Sequence, residues 1–474
     1  MAIEKTLVET SLKYYLIAFD AKGKERQNNG EFISQKVIEI LSSARKSKEP
    51  ITDVFLMSHG WQGDIPAAKN QYDKWIAAMA KNQADIQKMQ QLRPGFRPLL
   101  IGLHWPSKPW GDEDLNAVSL DKTIVSFDTT DTSQEELINQ YAQSIADTEA
   151  AREALRTIFT AAGEYDVAPD TLPSEVREAY EVLIKEASLS SEGEDADAWS
   201  ENESLNLDPE SIYEATLAEE NEDVSFGIGD SVKSATDAFL NIPRLLSFWK
   251  MKDLARKIGQ TTGFNLLNRL QQLTDNTVRF HLMGHSFGCI FVSATVAGTK
   301  DNNKLVRPVN SLVLIQGALS LWSFCSNVPF RNNLPGYFRS IITDGKVAGP
   351  IVTTQSEHDK AVKNAYPMAG TLGIFREQDI DFDPNSESTQ KEYPGVGGIG
   401  CYGIQGDGLE IINDPKGMLP LEQSYNFQSG KIYNLESSKY IVVPPSLLDL
   451  FIGAHNAIDK PEVAHAVWSA AFGS

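Results

Sequence analysis

RFHLMGHSFGCIFVSATVAG, residues 279–298, holds two apolar runs around one short interruption at 284–288. The run 278–283 is short and apolar, as a strand buried on both faces would be, and 289–296 continues as a buried helix. The five residues between them, Gly-His-Ser-Phe-Gly, must turn the chain inside the core. A tight turn of this kind explains both glycines, since a side chain at Gly284 or Gly288 would strike the neighbouring strand or helix. It leaves the hydroxyl of Ser286 clear of the backbone. It also sets Ser286 at a helix N-terminus, where outward N–H groups and the helix dipole favour negative charge. Gly-x-Ser-x-Gly alone is a weak signal; between a strand and a helix it is a specific one. The plain alternative is a turn without chemistry.

Working outward, short runs rich in Val, Ile and Leu recur at 54–57, 98–103, 311–315, 351–354 and 431–435. Each reads as a buried parallel strand. Helical patterns fill the intervals, as in 250–273, where Leu254, Ile258, Leu266, Leu270 and Leu273 recur on one face. Strand alternating with helix predicts an α/β fold, a mostly parallel central sheet with helices on both faces. Residues 12–20 read as an antiparallel edge strand.

The rhythm breaks from 128 to 240, so the sheet core is expected in 1–127 and 241–474 and an acidic helical insertion between them. Ser133-Gln-Glu-Glu136 reads as a capping box opening a helix of about seven turns. A second helix follows Pro173, with Val176, Tyr180, Leu183 and Ile184 on one face. The polar stretch 188–209 reads as mobile. At the exit, Phe239, Leu240, Leu245, Leu246, Phe248 and Trp249 form an apolar patch, either core or a wall facing substrate. The insertion is a surface appendage or a lid.

The net charge of −21 repels phosphate, so neither nucleic acid nor an anionic membrane is expected as a partner. Three widely spaced cysteines, Cys289, Cys325 and Cys401, fit a reducing compartment and argue against a disulfide framework or a zinc site. With no signal-peptide pattern and no run of about 18 apolar residues, stable membrane insertion is not expected and the cytoplasm is.

A serine hydroxyl is a poor nucleophile without a base, and the base needs a carboxylate to orient it. Seven histidines are present. His281 and His285 lie too near the serine in sequence for the turn to aim them at its hydroxyl. His59 and His104 end early strands, and His465 lies within a helix opened by Pro461. His455 follows the last predicted strand, on a loop that can reach over the sheet's C-terminal edge, and is the best base. Asp359, just past the strand at 351–354, is the best acid; its plain alternative is a helix N-cap. Glu357 and His358 are weaker neighbours, and Asp344 and Asp407 are alternatives.

In these residues the chain resembles the α/β-hydrolase superfamily. Residues 284–288 match its nucleophile elbow, and Ser286, Asp359 and His455 fall in the family order of nucleophile, acid and histidine. The resemblance spans 1–127 and 241–474 and leaves the insertion out. It implies the α/β-hydrolase fold and an esterase- or lipase-like serine hydrolase. Such an enzyme takes small-molecule or lipid-like carboxylic esters and uses no cofactor and no metal. By the family pattern, His59 and Gly60 mark the oxyanion loop, with the amides of Phe287 and Trp61 as the oxyanion hole. Peptidase or amidase action with the same triad is one alternative. A non-catalytic interaction protein that binds through the insertion is another. Two patterns are set aside. Gly395-Val-Gly-Gly-Ile-Gly400 lacks the flanking strand and helix of a dinucleotide site. Asp381-Phe-Asp-Pro-Asn-Ser386 has serine where a calcium loop needs glycine.

Overall fold

The computed structural model describes residues 4–6, 12–45, 50–60, 65–107, 131–165, 167–187, 208–218, 235–329, 333–359, 361–365, 397–442 and 453–472. The chain divides into two compact units. The first comprises 1–108, 254–363 and 397–474, and the second 109–253 and 364–396.

Among its described residues the first unit is built on nine strands: β1 (Glu4–Thr6), β2 (Lys13–Ala18), β3 (Asp53–Ser58), β4 (Pro98–His104), β5 (Arg279–His285), β6 (Ser311–Ile315), β7 (Ile351–Gln355), β8 (Ile411–Asn413) and β9 (Ile432–Glu436). They form one sheet in the order β1-β2-β4-β3-β5-β6-β7-β9-β8. Among these described strands β1 and β2 pair antiparallel; the other pairings are parallel. This is an α/β architecture.

Alternate residues along a strand point to opposite faces, and both faces here are apolar. On one face Leu16, Phe55, Met57, Met283, Val313 and Ile315 share a core with Trp75, Ile76, Val467 and Trp468. Helices α1 (Ile33–Ala44), α2 (Ile65–Lys81) and α3 (Gln83–Leu92) come between β2 and β4 in the chain, and those partners lie on α2 and on the C-terminal helix Pro461–Phe472. The alternate residues Val54, Leu56, Leu282, Leu312 and Leu314 are equally buried. Helix α10 (Gly288–Ala297) packs against β3, β5 and β6, and every one of its residues is buried.

The segment 12–20 departs from its expectation as an antiparallel edge strand. β2 lies inside the sheet, parallel to β4, and the antiparallel edge is β1. The reason is written in its side chains: Tyr14 to Ala18 form an unbroken buried run, which needs cover on both faces and a neighbour on each side. β8 matches none of the expected apolar runs, because its three residues carry no buried run.

The expected helix at 250–273 belongs to a longer helical stretch: α8 (Ala235–Ile258), one π turn at Gly259–Gly263, and α9 (Phe264–Gln272). The expected seven-turn helix is two helices, α4 (Asp131–Ile145) and α5 (Glu149–Glu164). Thr148 makes the break. Its hydroxyl accepts a hydrogen bond from the Ala151 amide at 3.2 Å and so starts a new helix.

Among its described residues the second unit holds helices only: α4, α5, α6 (Ser174–Ala187), α7 (Pro209–Ala218) and α8 as far as Asp253. Tyr180 donates from its hydroxyl to the Phe239 carbonyl at 2.7 Å, and the rings of Tyr213 and Phe239 stack with centroids 5.8 Å apart. Phe239, Leu240, Leu245, Leu246, Phe248 and Trp249 are all buried. The polar residues 188–207 lie outside the described residues. No helix among the described residues is long and apolar enough to cross a membrane.

At the sheet's N-terminal edge Asp53 opens β3 with its carboxylate fully buried. Arg93 donates to it, and so does His281 Nε2 at 3.1 Å. Arg93 also reaches the carbonyl of Ala471 at 2.6 Å, tying the end of the C-terminal helix to the sheet. Burial opposes the charge on Asp53, but the His281 hydrogen bond and the charges of His281 and Arg93 outweigh it and hold the carboxyl below its ordinary range. Asp53→Ala should leave the buried guanidinium without its carboxylate and lower stability by about 3–5 kcal/mol. Chemical denaturation at pH 7 measures this; a loss below about 1 kcal/mol would show that the pair matters little.

Candidate active site

β4 lies on one side of β3 and β5 on the other, so the order of strands reverses between β3 and β5. In open α/β sheets the crevice beyond the carboxyl ends at such a reversal is where ligands bind. Two segments meet there: Ser58 to Gly60 after β3, and His285 to Ser286 at the end of β5.

Ser286 has φ +56°, in the left-handed region. A side chain there costs on the order of 1–3 kcal/mol and persists only where the surroundings enforce it. They do. The Ser286 amide donates to the Ile315 carbonyl at 3.2 Å, and its own carbonyl accepts from the amides of Cys289 (3.0 Å) and Ala318 (3.2 Å). The flanking glycines are required by contact. A Cβ at Gly284 would lie 2.3 Å from the Gly288 carbonyl oxygen, and one at Gly288 would lie 2.4 Å from that of Ser58. A Cβ at Gly60 would lie 2.8 Å from the Cβ of Ser286, so the loop after β3 comes right up to the serine. Phe287 is the N-cap of α10. Trp61 lies outside the described residues.

Asp359 is completely buried just past β7. Its Oδ2 accepts from His455 Nδ1 at 2.8 Å and from Gln316 Nε2 at 2.8 Å. Its Oδ1 accepts from the Val362 amide at 2.9 Å. One oxygen of Asp359 thus caps the following turn and the other meets the histidine. With its Nδ1 proton directed at Asp359, His455 carries its lone pair on Nε2, the arrangement a base needs. Ser286 Oγ and His455 Nε2 are not hydrogen-bonded to each other. Such bonds are often long before substrate binds.

His285 ties the His455 loop to the serine turn and, as expected, is not bonded to the Ser286 hydroxyl. His285 Nε2 donates to the His455 carbonyl at 2.9 Å, and the two rings lie 4.8 Å apart. Gln71 Nε2 donates to His285 Nδ1 at 2.8 Å and so fixes the tautomer. Nothing in the local pattern signals this, because the partner is a backbone carbonyl 170 residues away. Burial, then the neighbouring His455, holds His285 well below the ordinary histidine value near 6.5. The native chain thus stays neutral at this position while the unfolded chain takes up a proton, and stability is lost as pH falls below about 6.5. His285→Gln cannot titrate and should flatten that decline, read as the difference in denaturation midpoint between pH 7 and pH 5. An unchanged difference would contradict it.

The remaining histidines have other tasks. His59 is buried. Its Nδ1 donates to the Gly60 carbonyl at 2.8 Å, its Nε2 accepts from His104 Nδ1 at 2.9 Å, and its ring stacks on Trp105. Both histidines thus shape the loop after β3. His465 is bonded to Asp85 at 2.8 Å and to the Gln423 carbonyl at 2.8 Å, and packs the C-terminal helix. His358 is exposed beside Glu357, and Asp344 pairs with Lys346 at 3.7 Å. Among the described residues no group of three or more His, Cys, Asp or Glu is placed to hold a metal ion.

No protein-family model, curated protein or solved structure matches this chain.

Where no helix is expected after the glycine-rich run, Ile399–Tyr402 is helical, but over only four residues. Gly400 supplies a carbonyl to the Gln316 amide at 3.0 Å. The calcium-like segment 381–392 lies outside the described residues.

Proposed function

We propose that this chain is a serine hydrolase of the α/β-hydrolase type that cleaves carboxylic esters through an acyl-enzyme on Ser286. The observation that carries the reading is the buried 2.8 Å bond from His455 Nδ1 to Asp359, with the His455 loop tied to the serine turn by His285. Its further support is the left-handed serine at a strand-to-helix turn, beside the strand-order reversal.

In this mechanism His455 Nε2 takes the proton from Ser286 Oγ as the oxygen attacks the ester carbonyl. Asp359 holds the imidazole in that tautomer and stabilises its cationic form. The developing oxyanion is held at the start of α10, with the Phe287 amide as one donor and, by the family pattern, the Trp61 amide as the other. Each donor is worth roughly 3–4 kcal/mol in the transition state. His455 then returns the proton to the leaving alcohol, and water repeats the cycle on the acyl-enzyme.

Chromogenic acyl esters and anilides of matched acyl chain test the proposal. Turnover of the esters is expected. Cleavage of anilides as well would widen the activity to amides. Turnover of neither would end the proposal.

A further inference from the structure

Gln316 follows β6 at the point where the chain leaves the sheet, and its φ of +44° is again left-handed. It is fully buried. Strain at a buried non-glycine residue persists where several contacts over-determine it, and Gln316 has them. Its amide nitrogen on the backbone donates to Thr354 Oγ1 at 2.9 Å, and the same hydroxyl donates to Gln316 Oε1 at 2.9 Å. Its Nε2 donates to the Gly400 carbonyl at 3.0 Å and to Asp359 Oδ2 at 2.8 Å. Gly400 has no room for a side chain, since a Cβ there would lie 2.7 Å from the Gln316 carbonyl carbon. The side-chain amide is thus pinned at both ends and presents one N–H to the carboxylate oxygen that also meets His455.

We propose that Gln316 is a positioning residue. Its amide fixes Asp359 Oδ2 where the Nδ1 proton of His455 meets it, and through Asp359 it sets the orientation and tautomer of the base. This rests on the serine-hydrolase reading. The residue type follows from charge. An amide donates without a charge of its own, whereas a carboxylate at the same place would put two like charges about 3 Å apart, and one of them would have to keep a proton. Asp359 is the titratable group bonded to the amide, His455 meets it through Asp359, and Cys401, next to Gly400, interacts with Asp359 along with Lys363 and Glu357 nearby. Burial pushes the Cys401 thiol up to about 11, so it remains neutral through the working range.

The test is kcat and KM for a chromogenic ester from pH 5 to pH 9, in wild type, Gln316→Glu and Gln316→Met. In Gln316→Glu the introduced carboxyl, while protonated, can donate in place of the amide. This variant should work best at acid pH and lose at least tenfold in kcat by pH 8, where wild type holds its plateau. Gln316→Met removes the donor without adding charge; kcat should fall about tenfold at every pH with KM little changed. Should Gln316→Glu fail to fold, the kcat-against-KM split in Gln316→Met decides. Profiles parallel to wild type in an active enzyme, or losses that follow only the folded fraction, would overturn the inference alone. A wild type that neither turns over esters nor labels with a fluorophosphonate would remove the reading beneath it, and the inference with it.

Discussion

Ser286→Ala should lower ester hydrolysis by a factor on the order of 10⁶ and leave the fold intact. Removal of the nucleophile from a serine-protease triad has an effect of this size, because the other members then have no oxygen to activate. What survives is binding and oxyanion stabilisation. The fold should not notice the change. The substitution removes one oxygen, the backbone bonds of residue 286 to Ile315, Cys289 and Ala318 remain, and alanine bears the same φ of +56° no worse than serine. The denaturation midpoint therefore stays near that of wild type. Unchanged turnover in this variant would move the chemistry elsewhere.

Asp359→Asn should reduce kcat by about 10⁴, the loss seen when the orienting aspartate of a serine protease becomes asparagine. The contacts explain why. The two carboxylate oxygens face three donors: His455 Nδ1, Gln316 Nε2 and the Val362 amide. An asparagine can accept on one side only. If its oxygen keeps the Val362 amide, its NH₂ group faces His455 and turns the ring to the tautomer that carries a proton on Nε2. The base is then spent before the reaction begins. Steady-state kinetics at pH 7 measure the loss, and a decrease of less than tenfold would show that Asp359 serves as a cap alone.

Much of the sheet was legible because its strands are buried on both faces and so appear as unbroken apolar runs. β3, β4, β5, β6, β7 and β9 all fall on such runs. β8, whose three residues are partly exposed, does not. The direction of β2 could not be read, since an apolar run shows burial and not the polarity of its neighbours. Thr148 broke a helix that periodicity alone would have carried through, because one side-chain oxygen outcompeted the continuing ladder. Around the serine, the turn itself was legible: Gly284 and Gly288 have no room for a side chain. The groups that steady Asp359 and His455 were not. Gln316, His285 and Gln71 act through contacts between residues far apart in the chain, and their partners include backbone carbonyls that no residue pattern marks. A glutamine ending the apolar run of β6 was the one visible sign.

Labelling of the intact chain with a fluorophosphonate, followed by peptide mapping, tests the central claim most directly, because only a serine activated by a neighbouring base reacts readily with such a probe. Covalent attachment at Ser286 is predicted, abolished in Ser286→Ala and greatly slowed in His455→Gln. Attachment at another residue, or none at all in the folded protein, would contradict it.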